Sequence, residues 1–192
     1  EYDAFLAATP AAPAMFVPQN RGLPRAPATG LPWAAAQAFC SHAKGRLPTE
    51  EEWEFAARGP DQYTFPWGNE AASANDIHAH RGPGTSPVPV ATTAKDVTRG
   101  DHTPLHDMAG NAQEWTGQVW RDPRTGADAE WATQGGMTYR AVRGWPLDKK
   151  GAFPLEGAAF RLPLCATGSC VDKFPEARAN VGFRCVRPPT AP

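Results

Sequence analysis

An eight-residue block near the middle of the chain offers the clearest chemistry. It runs Asp107-Met-Ala-Gly-Asn-Ala-Gln-Glu114, with a carboxylate at each end and a Gly-Asn turn between them. A hard cation such as Ca²⁺ takes several oxygen ligands, carboxylates and carbonyls together. A tight turn can direct successive carbonyls to one point, so the block is a candidate calcium site. The alternative is a capped turn in which Glu114 pairs with an arginine.

Cysteine and histidine supply the other candidate ligands. The four cysteines, which allow three disulfide pairings, are Cys40, Cys165, Cys170 and Cys185. The alternative is four reduced, buried thiols. His78 and His80 form an H-x-H pair that could bind a metal from one face of a strand, but no third ligand is evident. Solvent-exposed histidines are the better interpretation, and the sequence contains no G-x-S-x-G, Walker A or H-E-x-x-H motif.

The composition limits the class of protein. The formal net charge is −1 and no basic run occurs, so binding to nucleic acid is not suggested. No apolar stretch is long enough to span a membrane. The 21 prolines and 18 glycines indicate many turns and long irregular loops, while 7 Trp and 9 Phe argue against disorder. Frequent Ala, Pro, Gly and Arg suggest a GC-rich bacterial genome.

One helix has both of its ends marked in the sequence. Thr49 is an expected N-cap, and Glu52 three residues later completes a capping box. Gly59 supplies a stop signal after residue 58. The face expected to point inward carries Trp53, Ala56 and Ala57.

The remaining elements are predicted with less detail. Residues 1–9 have the pattern of a short amphipathic helix, and a second helix is expected to begin at Pro32 and to close at Gly45. Residues 10–30 are expected to form an irregular loop. Beyond residue 60 the sequence predicts short strands among long loops, at residues 88–90, 140–143 and 181–186.

Five sequence blocks together resemble the formylglycine-generating enzyme family, also called the sulfatase-modifying-factor family. Their order and spacing match over nearly the whole chain. The blocks are residues 45–59, Phe65-Pro-Trp-Gly-Asn69, residues 107–115, Val142-Arg-Gly-Trp145 and Asn180-Val-Gly-Phe-Arg-Cys185. The resemblance implies one compact α+β, C-type-lectin-like domain over residues 1–192, with few helices, short strands, long irregular loops and bound calcium. Family members normally have a strand or two before the first helix, so the domain is expected to lack its N-terminal strands.

The resemblance also implies particular site residues. At the first calcium site the ligands would be Asp107, the carbonyls of Gly110 and Ala112, and the carboxylate of Glu114. A second calcium site would begin at Asn75, although its downstream carboxylate has no clear match here.

The disulfide pairing is likewise implied by the resemblance. Cys40 in the second helix would be joined to Cys185 after the last strand, and Cys165 and Cys170 would then pair locally. Two disulfides would indicate an oxidising compartment. The expected location is therefore extracytoplasmic or secreted, in a bacterium.

The residues for the founding activity of this family are missing. Its enzymes oxidise a sulfatase cysteine to formylglycine, using copper(I) held by two cysteines just after a Gly-Gly-Ser strand. The matching stretch, residues 143–151, contains no cysteine, and Gln113 replaces an aromatic residue beside the active groove. Cys165 and Cys170 have the spacing of the catalytic pair, so a copper-dependent oxidase with relocated cysteines is the alternative function.

The sequence therefore favours a non-catalytic binding or interaction module with a protein or peptide partner. The expected binding surface is formed by loops at residues 113–121 and 144–165. Its candidate anchors are Trp120, Trp131, Trp145, Phe153 and Phe160. At least three of these are expected to be core residues, because large aromatic side chains are usually buried.

Overall fold

In the part of the chain that the structure describes, three helices precede a four-stranded sheet, which confirms the α+β class. The computed structural model describes residues 1–9, 17–18, 21–23, 25–70, 77–79, 85–100, 103–121, 125, 138–145, 161–167 (backbone only) and 179–188. The helices are α1 (Tyr2–Ala8), α2 (Trp33–His42) and α3 (Glu50–Arg58). The strands are β1 (Gln113–Val119), β2 (Thr138–Arg143), β3 (Arg161–Thr167) and β4 (Val181–Phe183).

The sheet has the order β3-β2-β1-β4, which places β1 and β2 at its centre. Neighbouring strands β1 and β2, and β2 and β3, are antiparallel, whereas β4 runs parallel to β1. In this register Glu114 lies opposite Arg143 on one side and opposite Gly182 on the other. The block that carries the candidate calcium ligands therefore leads directly into a central strand.

Helix α3 forms as its sequence predicts. The backbone N–H of Glu52 donates to Thr49 Oγ1 at 3.1 Å, and Glu52 Oε2 accepts from the Thr49 N–H at 2.8 Å, so both bonds of the capping box are present. Gly59 has a φ of 66°, in the left-handed region that glycine adopts readily. Trp53 is buried on the inner face, where it can reach the sheet.

Helix α2 ends earlier than the sequence predicts. It stops at His42, and Lys44 rather than Gly45 has the left-handed conformation, with a φ of 59°. Gly45 is needed for a different reason. A Cβ at this position would lie 2.5 Å from the carbonyl oxygen of Val186, where the chain crosses the segment after β4.

Two predictions of loops are wrong, and one predicted strand is absent from the described residues. Residues 113–119, expected in a surface loop, form β1. The sequence does not predict this strand because its first residues are buried on both faces, so hydrophobic and polar residues do not alternate along it. Residues 161–165, the last part of the other expected loop, lie in β3, which contains Pro163 and is the end strand of the described sheet. Residues 88–90 are not a strand.

The two largest clusters of buried hydrophobic residues in the described part of the chain are a sheet cluster and a tryptophan cluster. The sheet cluster consists of Ala36, Cys40, Leu47, Trp115, Val142 and Val181. The tryptophan cluster consists of Trp67, Ile77, Ala79, Ala109 and Trp145, with Phe65 packed against it. In the sheet cluster, the predicted disulfide between Cys40 and Cys185 is confirmed, with a sequence separation of 145 residues. No helix in the described ranges is both long and apolar enough to cross a membrane.

Candidate functional site

The loop before β1 makes a tight double turn. Asp107 and Asn111 both have left-handed backbones, with φ of 56° and 64°. The Asn111 N–H donates to the carbonyl of His78 at 2.6 Å. Gly110 lies against the same peptide, since a Cβ there would be 2.8 Å from the His78 oxygen. In the Gly-Asn turn, Gly110 is therefore needed because a larger residue would keep this loop from approaching the backbone of His78.

A carboxylate that sequence analysis missed caps this turn. Asp96 is fully buried, and its carboxylate accepts from the N–H of Ala109 at 2.9 Å and of Gly110 at 2.8 Å. Burial raises the pKa of Asp96 to about 6, against the opposing effect of these backbone hydrogen bonds. Nothing in its polar sequence surroundings distinguishes Asp96 from an exposed loop residue. Its role comes from a contact 13 residues further along the chain.

Asp107, a predicted calcium ligand, holds a neighbouring loop. It is buried, and it accepts from the N–H of Ala91 at 2.8 Å and from the hydroxyl of Thr93 at 2.5 Å. Asn111 continues the same network, because its amide binds both the N–H and the carbonyl of Val88, at 2.8 and 3.1 Å. Donors of the chain itself therefore satisfy the Asp107 carboxylate.

Glu114, the other predicted carboxylate ligand, is paired with an arginine. Arg184 donates from Nε to Oε2 at 2.6 Å and from Nη2 to Oε1 at 2.7 Å, a two-pronged pair. The indole N–H of Trp53 also donates to Oε2, at 2.6 Å. Glu114 is 7% exposed, so these three bonds replace water at a buried carboxylate. This is the arginine-paired alternative considered in the sequence analysis.

A small cavity opens beside this pair. Its volume is about 270 Å³, its polar lining residues are His106, Asp107, Asn111, Glu114 and Arg184, and Ala112 lines it as well. Three of the four predicted calcium ligands thus border one space. Gly110, the fourth, does not line it.

The described residues nevertheless do not fit calcium at Glu114. Both lone pairs of Oε2 are used, and a guanidinium already neutralises the carboxylate. Within the described ranges, no group of three or more His, Cys, Asp or Glu side chains is placed to hold a metal ion. Calcium at this loop stays a prediction from resemblance. Asn75 of the second predicted site lies outside the described residues.

The end of β2, where the family resemblance places the catalytic stretch, is filled by an aromatic side chain. Gly144 has a φ of 81°, and its carbonyl accepts from Gln113 Nε2 at 3.1 Å. Trp145 follows and is 1% exposed, inside the tryptophan cluster. Its ring meets Phe65 edge-on, with 5.8 Å between ring centroids. The space directly after β2 is therefore occupied by core packing.

The two candidate cysteines of the alternative function are only partly described. The backbone of Cys165 lies in β3, opposite Tyr139 of β2. The other end of the same strand pair joins Arg161 to Arg143, so Cys165 is at the end remote from Gly144. Cys170 lies outside the described residues, as does its predicted pairing with Cys165.

The predicted binding aromatics do not form a surface among the described residues. Trp120 and Trp145 are both buried, with 8% and 1% exposure. Trp131, Phe153 and Phe160 lie outside the described part of the chain. The expectation that aromatic residues here belong to the core is confirmed for the two that can be placed.

A larger groove adjoins the small cavity and shares part of its wall. Its volume is about 800 Å³. The residues common to both spaces are Pro27, Val90 and Phe183. The aromatic part of the groove is formed by Tyr2, Phe39 and Phe183, and its charged rim carries Asp3, Arg21 and Arg25. Sequence analysis did not identify this groove, because its walls come from α1, from segments near residues 21–28 and from β4.

A buried ion pair links α3 to the end of β2. Arg143, 1% exposed, donates to Glu54 at 2.7 Å and lies 3.5 Å from Glu50. Its guanidinium also sits over the Trp53 ring, 5.1 Å from the centroid. No local pattern shows that Glu50 faces a buried arginine.

Comparison with known proteins supports the same scaffold. A formylglycine-generating enzyme from Thermomonospora curvata is 32% identical over 182 residues, which are 86% of this chain and 57% of that protein. An inactive C-alpha-formylglycine-generating enzyme 2 from Bos taurus is 32% identical over 133 residues, 60% of this chain and 42% of that protein. The chain thus spans about half the length of these curated relatives.

A solved structure agrees at the level of the fold. PvdO from Pseudomonas aeruginosa superposes with a TM-score of 0.61 at 20% identity, over 94% of this chain and 73% of that one. The family described as the sulfatase-modifying factor enzyme 1-like domain matches residues 7–189. This match covers nearly all of the sequence, including the loop before β1 and the end of β2. The chain therefore belongs to the sulfatase-modifying factor enzyme 1-like family.

Proposed function

We propose that this domain is a non-catalytic binding module on the formylglycine-generating-enzyme scaffold. The observation that carries the proposal is the burial of Trp145 directly after Gly144. By resemblance, this is where the cysteine-bearing stretch of the enzymes begins. Here residues 143–151 contain no cysteine, and the first side chain after the glycine is part of the core.

The chemistry of the enzymes supports this assignment. Formation of formylglycine needs soft thiolates to hold copper(I) and to engage the substrate cysteine. Cys40 and Cys185 are joined in a disulfide and offer no thiolate. Cys165 lies in β3 at the end away from Gly144. Relatives with both active and inactive names are similar to this chain, so loss of activity on this scaffold is a known outcome in the family.

The groove beside α1 is the surface best suited to a protein or peptide partner. Its aromatic part can take up an apolar side chain, while Asp3, Arg21 and Arg25 can bind a peptide backbone or charged groups at the rim. The loops at residues 113–121 are unsuitable, because β1 occupies most of that range at the centre of the sheet. The Cys40–Cys185 disulfide supports an extracytoplasmic location for this module.

The binding proposal is tested with two matched surface variants. Leu23 lines the groove and is 46% exposed, whereas Phe55 on α3 lies away from it and is 58% exposed. Peptides enriched from a random display library on the intact chain should bind the Phe55→Asp variant and lose binding to Leu23→Asp. Equal binding to both variants, or no enrichment, would contradict a peptide site in the groove.

The alternative function is an oxidase that uses Cys165 and Cys170. Copper(I) titration against a chromogenic competitor separates it from the binding module. We expect no copper(I) binding that depends on these two cysteines. Tight binding of one copper ion per chain, lost in Cys165→Ala and Cys170→Ala, would favour the oxidase.

A further inference from the structure

We infer that Arg184 is the built-in cation of the loop before β1, so that Glu114 does not bind calcium in this protein. This inference concerns the stability of the scaffold and is independent of the proposed binding function. The contacts that the side chains make in this loop disagree with the calcium ligands implied by resemblance.

The pairing of β1 with β4 places the Arg184 guanidinium next to the Glu114 carboxylate. Glu114 on β1 lies opposite Gly182 on β4. Arg184 is two residues further along and therefore lies on the same side as Gly182, as a diagonal neighbour of Glu114. The adjoining Cys185 is fixed to α2 by its disulfide. The position of Arg184 is thus set by strand pairing and by a covalent link.

The pair has the geometry of a strong one. Two parallel N–H···O bonds of 2.6 and 2.7 Å join the planar groups. A third donor, the indole of Trp53, completes Oε2. The side chains are 26% exposed for Arg184 and 9% for Glu114, so solvent screens the pair only partly.

The two neighbouring carboxylates do not need a cation to satisfy their hydrogen-bonding capacity. Asp96 accepts from backbone N–H groups, and Asp107 accepts from a backbone N–H, a hydroxyl and a side-chain amide. The donors are Ala91, Thr93, Ala109, Gly110 and Asn111.

A calcium ion at Glu114 would disrupt favourable interactions that this carboxylate already makes with Arg184 and Trp53. Binding through Oε2 would displace Arg184 or Trp53 and leave a buried donor unpaired, and binding through Oε1 would place the ion next to the Arg184 Nη2 that already donates to that oxygen. It would also bring a divalent charge next to a guanidinium at low effective dielectric, where like charges repel strongly. The Glu114 carboxylate is already neutralised and hydrogen-bonded within the chain, and a calcium ion would compete with Arg184 for it.

Calcium binding by the intact chain tests the inference directly. Calcium content is measured by elemental analysis, and the melting temperature is compared in excess calcium and in excess chelator. A site saturated well above its Kd would shift the melting temperature by about 5 °C or more. We expect the calcium content and the response of the melting temperature to calcium to be the same in the wild-type chain and in Glu114→Gln. A bound calcium ion and a chelator-induced shift, both abolished by Glu114→Gln, would overturn the inference.

Variants of the arginine provide a second measurement. Removing one partner of a mostly buried pair should lower the melting temperature by about 5–10 °C, so Arg184→Met is expected to melt that much earlier. The melting temperature of Arg184→Lys should lie between those of the wild type and Arg184→Met, because lysine keeps the positive charge and loses the bidentate geometry. The matched control is Arg187→Met, which changes an exposed arginine three residues away. The inference would be contradicted if Arg184→Met had the same melting temperature as the Arg187→Met control. If that variant does not fold, the wild-type calcium titration still decides.

Discussion

The loop before β1 and the end of β2 lie side by side in the sheet but differ in how far they match what the family resemblance implies. The loop keeps its tight turn, its glycine and a carboxylate at each end, and every one of those carboxylates is bonded to donors of the chain. At the end of β2, core packing by Trp145 stands where the resemblance places the start of the catalytic stretch. The comparison teaches that side chains which hold the scaffold are bonded within the chain itself, so they contribute to folding independently of any catalysis.

The largest effect should come from the covalent link that fixes β4 next to the loop. Cys40 and Cys185 close a loop of 145 residues. In the chain-entropy model, its removal in the Cys40→Ala/Cys185→Ala double variant should lower the free energy of unfolding by about 5 kcal/mol. Urea denaturation measures the loss. A double variant as stable as the parent, or recovery of both cysteines as free thiols in non-reducing peptide mapping, would refute the link.

The next effect concerns the end of β2. Trp145→Ala should cost about 3–5 kcal/mol of unfolding free energy, because it empties the centre of the tryptophan cluster. If Trp145 instead covered a working active site, its removal would leave stability nearly unchanged and would open the site. Thermal and urea unfolding distinguish these outcomes, and a cost below about 1 kcal/mol would contradict the packing role.

The turn before β1 should be sensitive to a single methyl group. Gly110→Ala would place a Cβ 2.8 Å from the His78 carbonyl oxygen, so the loop must shift. A loss of about 1–3 kcal/mol is expected. Gly117→Ala is the matched control, because its Cβ would meet atoms only at 3.5 Å and beyond. Equal losses in the two variants would mean that the close approach does not matter.

The smallest effect lies at the start of α3. Hydrogen bonding to Arg46, together with the N–H of Thr49, lowers the pKa of Glu52 to about 2. A carboxyl whose folded pKa lies below its unfolded value stabilises the fold above the unfolded pKa and loses that contribution as the pH falls through the folded pKa. Stability should therefore decline between about pH 4.5 and pH 2. Glu52→Gln should decline less over this range, and parallel curves would argue against the capping role.

The sequence predicts what is local and leaves open what depends on distant partners. The ends of α3 are visible because a cap, its box partner and a stop glycine lie within one segment. Strand β1 escapes, since burial on both faces removes the alternation by which strands are found. The pairing of Cys40 with Cys185 came from family resemblance, because spacing allowed three pairings.

The site shows the same division. The sequence marks Glu114 as a functional carboxylate, and it leaves two partners open, a calcium ion or an arginine. The choice depends on Arg184, 70 residues away and brought beside Glu114 by the parallel pairing of β1 and β4. Asp96 could not be found at all, because its capping of the turn has no local signature.

The central claim is that this scaffold carries no formylglycine-forming activity, and product analysis tests it most directly. The purified chain, supplied with copper and oxygen, is incubated with a cysteine peptide of the sulfatase type, and the aldehyde product is sought by mass spectrometry. The account predicts no aldehyde above a no-enzyme control. Aldehyde formation that disappears in Cys165→Ala or Cys170→Ala would contradict it and would assign the catalytic pair to those residues.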